Sequence, residues 1–478
     1  MLNRREFLSG VAGAAALGAA GVELLAATRR LPWQVLARRV SGRVVLPGDR
    51  GYAEFALPNN LRYSALRPAG IVMCKSAHDV SASVLWAREN GVALVARSGG
   101  HSYAGYSSTS GLMIDLREMN GVSLDEGTGV AVLGGGALNA DIFDFFKSRN
   151  LAITHGRCPS VGIAGLALGG GIGFNMRAHG LTCDHMTASE IVFADGTIRT
   201  FNGDDDLLWA CRGAGGGNFG INTSFAFQTF EVGPITVCNL LWDKEPERVF
   251  ASLVNALERA PRTLGSKVSA TAPSASSGIK IQLLGQFAGT PAELREILAD
   301  AYAIAPPAGI VTRDQYWKAQ HVLSEPGTPA YYQERSRFFN QAIDHQAVAV
   351  IFDWLRRYPK TAKTADFKLF QTGGRVNDRS SGSTAFVHRR SRWLGSIDLY
   401  WEQNTPADTL RHNLAWQTAF YEAIVPIAKG GAYQNFMDPS LTDWKTAYHG
   451  TNLERLEAIK KRVDPAGVFR FPEAIPPS

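Results

Sequence analysis

Between about residues 52 and 237, short apolar runs alternate with helix-period patterns, and dense glycine turns separate them. Residues 71–74 are one such run, of strand length. Ser76 with Asp79 three positions later predicts a capping box opening a helix that reaches Asn90. Residues 92–97 predict the next strand, which runs into Ser98, Gly99, Gly100 and His101. Further strands are predicted over 112–116 and 130–133, and Asn139 is expected to cap an amphipathic helix through Phe146. Residues 191–200 predict a hairpin around Asp195-Gly196. This mixture implies an α+β layered fold.

After Val237 the glycines thin out, and helical patterns over 291–302 and 334–357 alternate with strand-like runs at 279–284 and 393–401. The shift marks a second domain, as expected for 478 residues, because single cores stop growing at about 250–300. The division expected is a first domain over 40–237, a second over 238–430, and a segment at 431–478 that packs back on the first.

Residues 1–27 follow a different pattern. Asn3, Arg4, Arg5, Glu6, Phe7 and Leu8 precede Ala/Gly-rich apolar stretches at 11–20 and 24–27, which resembles a twin-arginine export signal. Glycines and Glu23 interrupt the run before the roughly 20 apolar residues of a membrane span. The resemblance implies a periplasmic or secreted protein, the twin-arginine translocase as a transient partner, and a cofactor installed before export.

Composition narrows the chemistry. Hydrophobic residues make up 45% and charged residues 19%, which excludes a disordered or coiled-coil chain. The net charge of +6 comes from scattered basic residues, with no run of the kind that binds nucleic acid. Five cysteines without C-x-x-C or zinc-type spacing predict neither a disulfide framework nor a metal site. At least one thiol stays unpaired in a monomer, and Cys158 is the one expected to matter.

Three glycine clusters carry the functional signal. The first is Arg97-Ser98-Gly99-Gly100-His101-Ser102-Tyr103 after a strand. The second, Gly162, Gly165, Gly169, Gly170, Gly171 and Gly173, follows Cys158. The third is Arg212-Gly213-Ala214-Gly215-Gly216-Gly217-Asn218-Phe219-Gly220. Each helical glycine weakens a helix by about 1 kcal/mol, so bare backbone is needed for another reason, close approach to a ligand. No G-x-G-x-x-G opens a helix in Rossmann context, which disfavours a nicotinamide cofactor.

The Gly99-Gly100-His101-Ser102-Tyr103 run, the Cys158-Pro159-Ser160-Val161-Gly162 segment with its following glycines, Thr384 to Arg389, Tyr433-Gln434-Asn435 and the closing Asp464 to Phe469 resemble the berberine bridge enzyme-like FAD-linked oxidases. These belong to the vanillyl-alcohol oxidase and p-cresol methylhydroxylase superfamily. The resemblance implies a flavin domain built from both chain ends, in two subdomains, and a substrate domain whose antiparallel sheet is covered by helices. It implies FAD bonded covalently through His101 to the 8α-methyl carbon and through Cys158, as a thiolate, to C6. It further implies cofactor contacts from Arg97, Ser98, Gly99, Gly100, Ser102, Val161, Gly162, Gly165, Gly169, Gly170, Gly173, Gly180, Asp184, Asn218, Phe219, Gly220, Ile221 and Asn435.

The same resemblance places Tyr433 as the base that takes a carbinol proton while hydride leaves for flavin N5, with Tyr103 assisting; packing roles for both are the alternative. A phenol of ordinary pKa about 10 needs a nearby cation or strong hydrogen bond for that task. Alternation on strand 393–401 puts Leu394, Ser396 and Asp398 on one face. The acid some relatives carry aligns here with Leu394 or Gly395, which leaves Asp398 a weak substitute and favours alcohol or sugar oxidation over isoquinoline ring closure. Val161 stands where a small side chain goes with oxygen use and hydrogen peroxide production, although a loop-packing valine is equally compatible. A dehydrogenase with another acceptor and a non-catalytic flavin-fold binding protein are the alternative readings. Trp317, Tyr331, Tyr332, Trp393 and Tyr400 are candidates to stack on substrate or to fill a core.

Overall fold

In the computed structural model, which describes residues 31–273, 277–359 and 364–477, the apolar runs before residue 237 build two small sheets and one two-stranded pair. The signal expected at 1–27 lies outside the described residues. The first sheet contains β1 (Arg43–Val45), β2 (Gly70–Met73), β3 (Leu94–Arg97) and β4 (Leu112–Asp115) in the order β1-β2-β4-β3, with β2, β4 and β3 parallel. Strands β2 and β4 are buried at every position, which is why they read as unbroken apolar runs.

The next strands are β5 (Val122–Asp125), β6 (Val130–Gly134), β7 (Leu151–Ala152), β8 (Met186–Val192), β9 (Ile198–Asn202), β10 (Ile221–Gln228) and β11 (Phe230–Glu231). Strands β7 and β11 pair with each other, and the rest form an antiparallel sheet ordered β5-β6-β10-β8-β9. The expected hairpin is β8 with β9. Helix Ala77–Asn90 fills the space between the sheets, packing Val80, Val84 and Trp86 with Leu112 and Ile114 of one and Val192 and Ile221 of the other.

Two caps differ from expectation. Ser76 Oγ accepts from the Asp79 N–H at 3.2 Å, but the Asp79 carboxylate accepts from the N–H groups of Ser41, Gly42 and Lys75, so the capping box is half made. Asn139 is the first residue of helix Asn139–Phe146, not its cap. Its amide donates instead to the Cys158 carbonyl at 2.9 Å, because the chain around Cys158 passes beside the helix start.

Beyond residue 234, β12 (Ile235–Trp242), β13 (Leu264–Thr271), β14 (Lys280–Phe287), β15 (Ala308–Asp314), β16 (Tyr331–Phe339), β17 (Thr364–Gln371) and β18 (Trp393–Trp401) make one antiparallel sheet ordered β15-β12-β14-β13-β17-β18-β16. Helices Pro246–Arg259, His345–Arg356 and Ala407–Ala428 cover one face, with Phe250, Phe352 and Phe420 packed among Phe367, Ile397 and Leu399. The helix expected over 334–357 starts only at His345, where Asp344 caps it by accepting from the Ala347 N–H. Residues up to Phe339 are β16, since Tyr332, Glu334, Ser336 and Phe338 alternate in register with β18. The helix expected over 291–302 is two, Pro291–Ile297 and Ala299–Ile304, broken at Leu298.

The chain end returns to the first two sheets. Leu456 and Ile459 of helix Leu453–Val463 join the cluster around Phe225, and Phe469 joins that around Trp86. Lys460 is buried and donates to the carbonyls of Asn218 (2.6 Å) and Phe469 (2.7 Å) and to Asp464 Oδ2 (2.7 Å). Asp464 in turn accepts from the N–H groups of Val468 and Phe469, which explains the closing motif as a folded clamp on the third glycine cluster. Lys460→Met strips the buried Asp464 carboxylate of its ion partner and is expected to lower unfolding free energy by about 3–5 kcal/mol. Urea unfolding of the purified protein measures this, and an unchanged midpoint refutes the clamp.

Candidate active site

The loop after β3 crosses the segment after Cys158 at backbone contact. A Cβ on Gly99 would lie 2.3 Å from the Gly162 nitrogen, and one on Gly162 would lie 2.2 Å from Ser98 Oγ, so neither position admits a side chain. The crossing places His101 and Cys158 side by side. His101 Nε2 sits 2.9 Å from Ser160 Oγ. A third segment, 325–330, closes over both: a Cβ on Gly327 would meet Ser160 Oγ at 3.0 Å, Cys158 Cβ at 3.1 Å and His101 Cε1 at 3.4 Å. The Asn59 amide donates to the Gly327 carbonyl at 2.7 Å, and Arg157 pairs with Glu325.

Burial lowers the His101 pKa to about 4, leaving a neutral ring with a free nitrogen lone pair. Burial also pushes the Cys158 thiol up to about 11, with Glu325 adding to the rise. Burial thus favours the protonated thiol, and the thiolate that attachment to a flavin calls for forms only when that proton leaves.

A cavity of about 880 Å³ opens between the glycine loops, the large sheet and the chain end. Ser98, Gly99, Gly100, His101, Ser102, Tyr103, Cys158, Val161, Gly162, Gly165, Gly173, Gly220, Ile221, Tyr433 and Asn435 line it. The other expected cofactor residues stand behind the wall. Arg97 donates to the carbonyls of Ser107, Phe55 and Leu57 and to Ser108 Oγ, and so braces the loop. Gly169 packs on Asn435, Gly170 on Phe386, and Gly180 beside Asp184, whose carboxylate pairs with Arg389 at 2.7 Å. Asn218 Oδ1 accepts from the Ile475 N–H, and Phe219 lies in the core.

This lining fits a dinucleotide flavin. Leu94, Leu116 and Ile221 supply apolar wall, a Cβ on Gly165 would meet nothing within 4 Å, and the buried hydroxyls of Ser98 and Ser107 have no partner among the described residues. Bare backbone and free hydroxyls suit phosphates, and apolar walls suit planar rings.

Tyr433 is fully buried against Phe338, Phe386 and Phe436. Its oxygen accepts from the Gly171 N–H and the Asn435 Nδ2, each at 3.1 Å. Asn435 is itself fixed by donating to the Leu166 carbonyl at 3.0 Å, which accounts for the Tyr-x-Asn spacing. Burial raises the phenol to about 12, while these donors pull it down. Tyr103 stacks on Phe436 at 4.9 Å, and burial with the Glu334 charge holds its phenol well above the ordinary value.

Asp398 does not line the cavity; it shares the sheet face that carries Glu334 and Lys368 but is buried there in an ion pair with Lys368. Of the candidate stacking residues, Tyr331, Tyr332 and Tyr400 line the cavity, while Trp317 packs on His155 and Trp393 donates to Glu258 in the core. Glu325, Gly327, Glu334 and Lys368 also line it and were missed by sequence reasoning. Only the Pro326-Gly327 pair carried any signal, that of a turn.

Comparison with known proteins agrees with this architecture. An FAD binding domain model matches residues 68–202, and a berberine and berberine-like model matches 432–476. The FAD-linked oxidoreductase YgaK of Bacillus subtilis (strain 168) is 30% identical over 451 residues, covering 92% of this chain and 98% of that one. The glucooligosaccharide oxidase of Sarocladium strictum is 28% identical, covering 84% and 86%. Among solved structures, BBE-like 1 of Physcomitrella patens superposes with a TM-score of 0.84 at 27% identity, covering 94% of this chain and 100% of that one. The carbohydrate oxidase of Microdochium nivale gives 0.81 at 26%, covering 93% and 98%. With sequence relatives and solved structures matched over nearly their whole length, the chain belongs to the berberine bridge enzyme-like family of FAD-linked oxidoreductases.

Proposed function

We propose that this protein is an exported sugar or alcohol oxidase that carries FAD on His101 and Cys158 and passes the electrons to dioxygen, making hydrogen peroxide. The observation that carries the reading is the Tyr433 hydroxyl, buried in the same cavity as His101 and Cys158 and held by two neutral donors. Carbohydrate and glucooligosaccharide oxidases among the relatives support a polyhydroxylated substrate. Arg4, Arg5 and the apolar stretch after them support export. The flavin, when bound, supplies the acceptor for the two electrons of a carbinol carbon.

Tyr433 takes the hydroxyl proton. It does so as the phenolate: with its own proton released to solvent, the oxygen's charge is held by Gly171 N–H and Asn435 Nδ2, and accepting the substrate proton returns it to the neutral phenol. His101 and Cys158 flank Gly327 closely enough to share one ligand, and the neutral imidazole is ready to act as a nucleophile. The Cys158 thiol has first to lose its proton. Val161 lines the cavity between Cys158 and Gly162, where a small side chain leaves room for dioxygen.

Tyr433→Phe is expected to lower kcat by about 10²- to 10⁴-fold with flavin content unchanged, measured by anaerobic flavin bleaching with sugar or alcohol. Because the phenol titrates near 12, kcat/KM of the native enzyme should climb with pH across the neutral range. That rise should vanish in the Phe variant; a variant that bleaches at the native rate rejects Tyr433 as base. Acid-precipitated protein should stay yellow, and so should Cys158→Ser through His101, whereas the His101→Ala/Cys158→Ser double variant should release free FAD. Reduced enzyme mixed with air should reoxidise faster than turnover; slow reoxidation with fast dye reduction would instead mark a dehydrogenase.

A further inference from the structure

The large sheet turns a polar face to the cavity, and its character changes along the strands. Nearest Tyr433 the cross-strand row is Phe338, Leu394 and Phe370, all apolar. The next row is Ser336, Ser396 and Lys368, and the one after it is Glu334, Asp398 and Asp366. Glu334 therefore lies four residues, about 13 Å of strand, from the Phe338 that packs on Tyr433. That separation exceeds one sugar ring.

Glu334 lines the cavity, is 5% exposed, and its buried Oε1 has no hydrogen-bond partner among the described residues. A buried carboxylate oxygen without a donor is unfavourable, so the site is built for a ligand that brings donors. Aromatic rings lead to it from the reacting end: Tyr433 to Phe436 at 5.1 Å, Phe436 to Tyr103 at 4.9 Å, Tyr103 to Tyr332 at 5.2 Å, and Tyr332 to Tyr400 at 5.6 Å. Rings of this kind accept the apolar face of a sugar while carboxylates accept from its hydroxyls. A cationic ligand fits less well, because Lys368 already pairs with Asp398 and stands 6.0 Å from the Tyr400 ring centre.

We propose that Glu334 is a specificity-determining residue: it accepts hydrogen bonds from hydroxyls on the sugar unit beyond the one being oxidised, so that the enzyme favours a disaccharide over a monosaccharide. The inference rests on the reading of the Tyr433 site as a sugar-oxidising one. Glu334 does not reach the reacting carbon, so its loss acts on binding and leaves the chemical step alone.

The test compares flavin-loaded native enzyme, Glu334→Ala and Glu334→Gln on glucose with cellobiose and on xylose with xylobiose. Glu334→Ala should raise KM for the disaccharides about 10- to 100-fold, with kcat within twofold of native and the monosaccharide KM unchanged. Glu334→Gln keeps an acceptor oxygen and should fall between. Flavin spectrum and thermal midpoint serve as folding controls, and the Gln variant, nearly isosteric, carries the comparison if the Ala variant fails to fold. Equal KM rises for both sugar sizes, or a fall in kcat alone, would overturn the assignment. So would native preference for 2-amino-2-deoxy disaccharides that Glu334→Gln abolishes, which would make Glu334 a cation reader. Should native enzyme bleach with aromatic alcohols and with no sugar, the sugar reading itself falls and Glu334 with it. Sugar oxidation that is indifferent to both variants overturns Glu334 alone.

Discussion

The active cavity depends on one steric constraint, the crossing of two loops at Gly99 and Gly162. Their backbones approach so closely that a single methyl on either would overlap a nitrogen or a hydroxyl of the other. Because the loops touch there, His101 on one and Cys158 on the other face the same spot, and the 325–330 segment of the large-sheet domain can close over both. Hydrophobic burial fixes the sheets, but no apolar contact would place two loops at backbone distance. Absence of side chains does.

Buried charges then tie distant parts of the chain to this crossing. Lys460 with Asp464 pins the chain end to the Asn218 carbonyl, Arg389 with Asp184 joins the 384–389 loop to the turn at Thr182–His185, and Arg335 with Asp438 joins β16 to the segment after Tyr433. Buried pairs of this kind add little net stability over apolar packing, yet breaking one leaves an uncompensated charge. Their effect is to make wrong dockings expensive, which suits a cavity walled by many separate stretches of sequence. Tyr433 illustrates the result: its phenol comes from the chain end, its hydrogen bonds from Gly171 and Asn435, and its packing from β16 and the 384–389 loop.

Local chemistry and family pattern were legible in the sequence. The strands at 71–74 and 92–97, the hairpin around Asp195-Gly196, the three glycine clusters and the His101, Cys158 and Tyr433-Gln434-Asn435 motifs announce themselves through short-range spacing. Misreadings arose where tertiary partners overrode local pattern. Residues 334–339 satisfy a helical period as well as a strand one, and pairing with β18 decided between them. Asn139 has the chemistry of a cap, but the Cys158 carbonyl, brought close by the fold, claims its amide.

The sequence by itself determined the α+β class and many of the residues that line the cavity, because bare glycine backbone and the Tyr-x-Asn turn are read from short-range spacing. Only the tertiary structure decided that Asp398 is taken by Lys368, that Glu334 faces the cavity with an oxygen that has no hydrogen-bond partner among the described residues, and that burial pushes the Cys158 thiol up. The physical reason is that burial and charge pairing are properties of neighbours from other strands. Protonation and free hydrogen-bonding capacity follow from those neighbours, and spacing along one strand does not encode them.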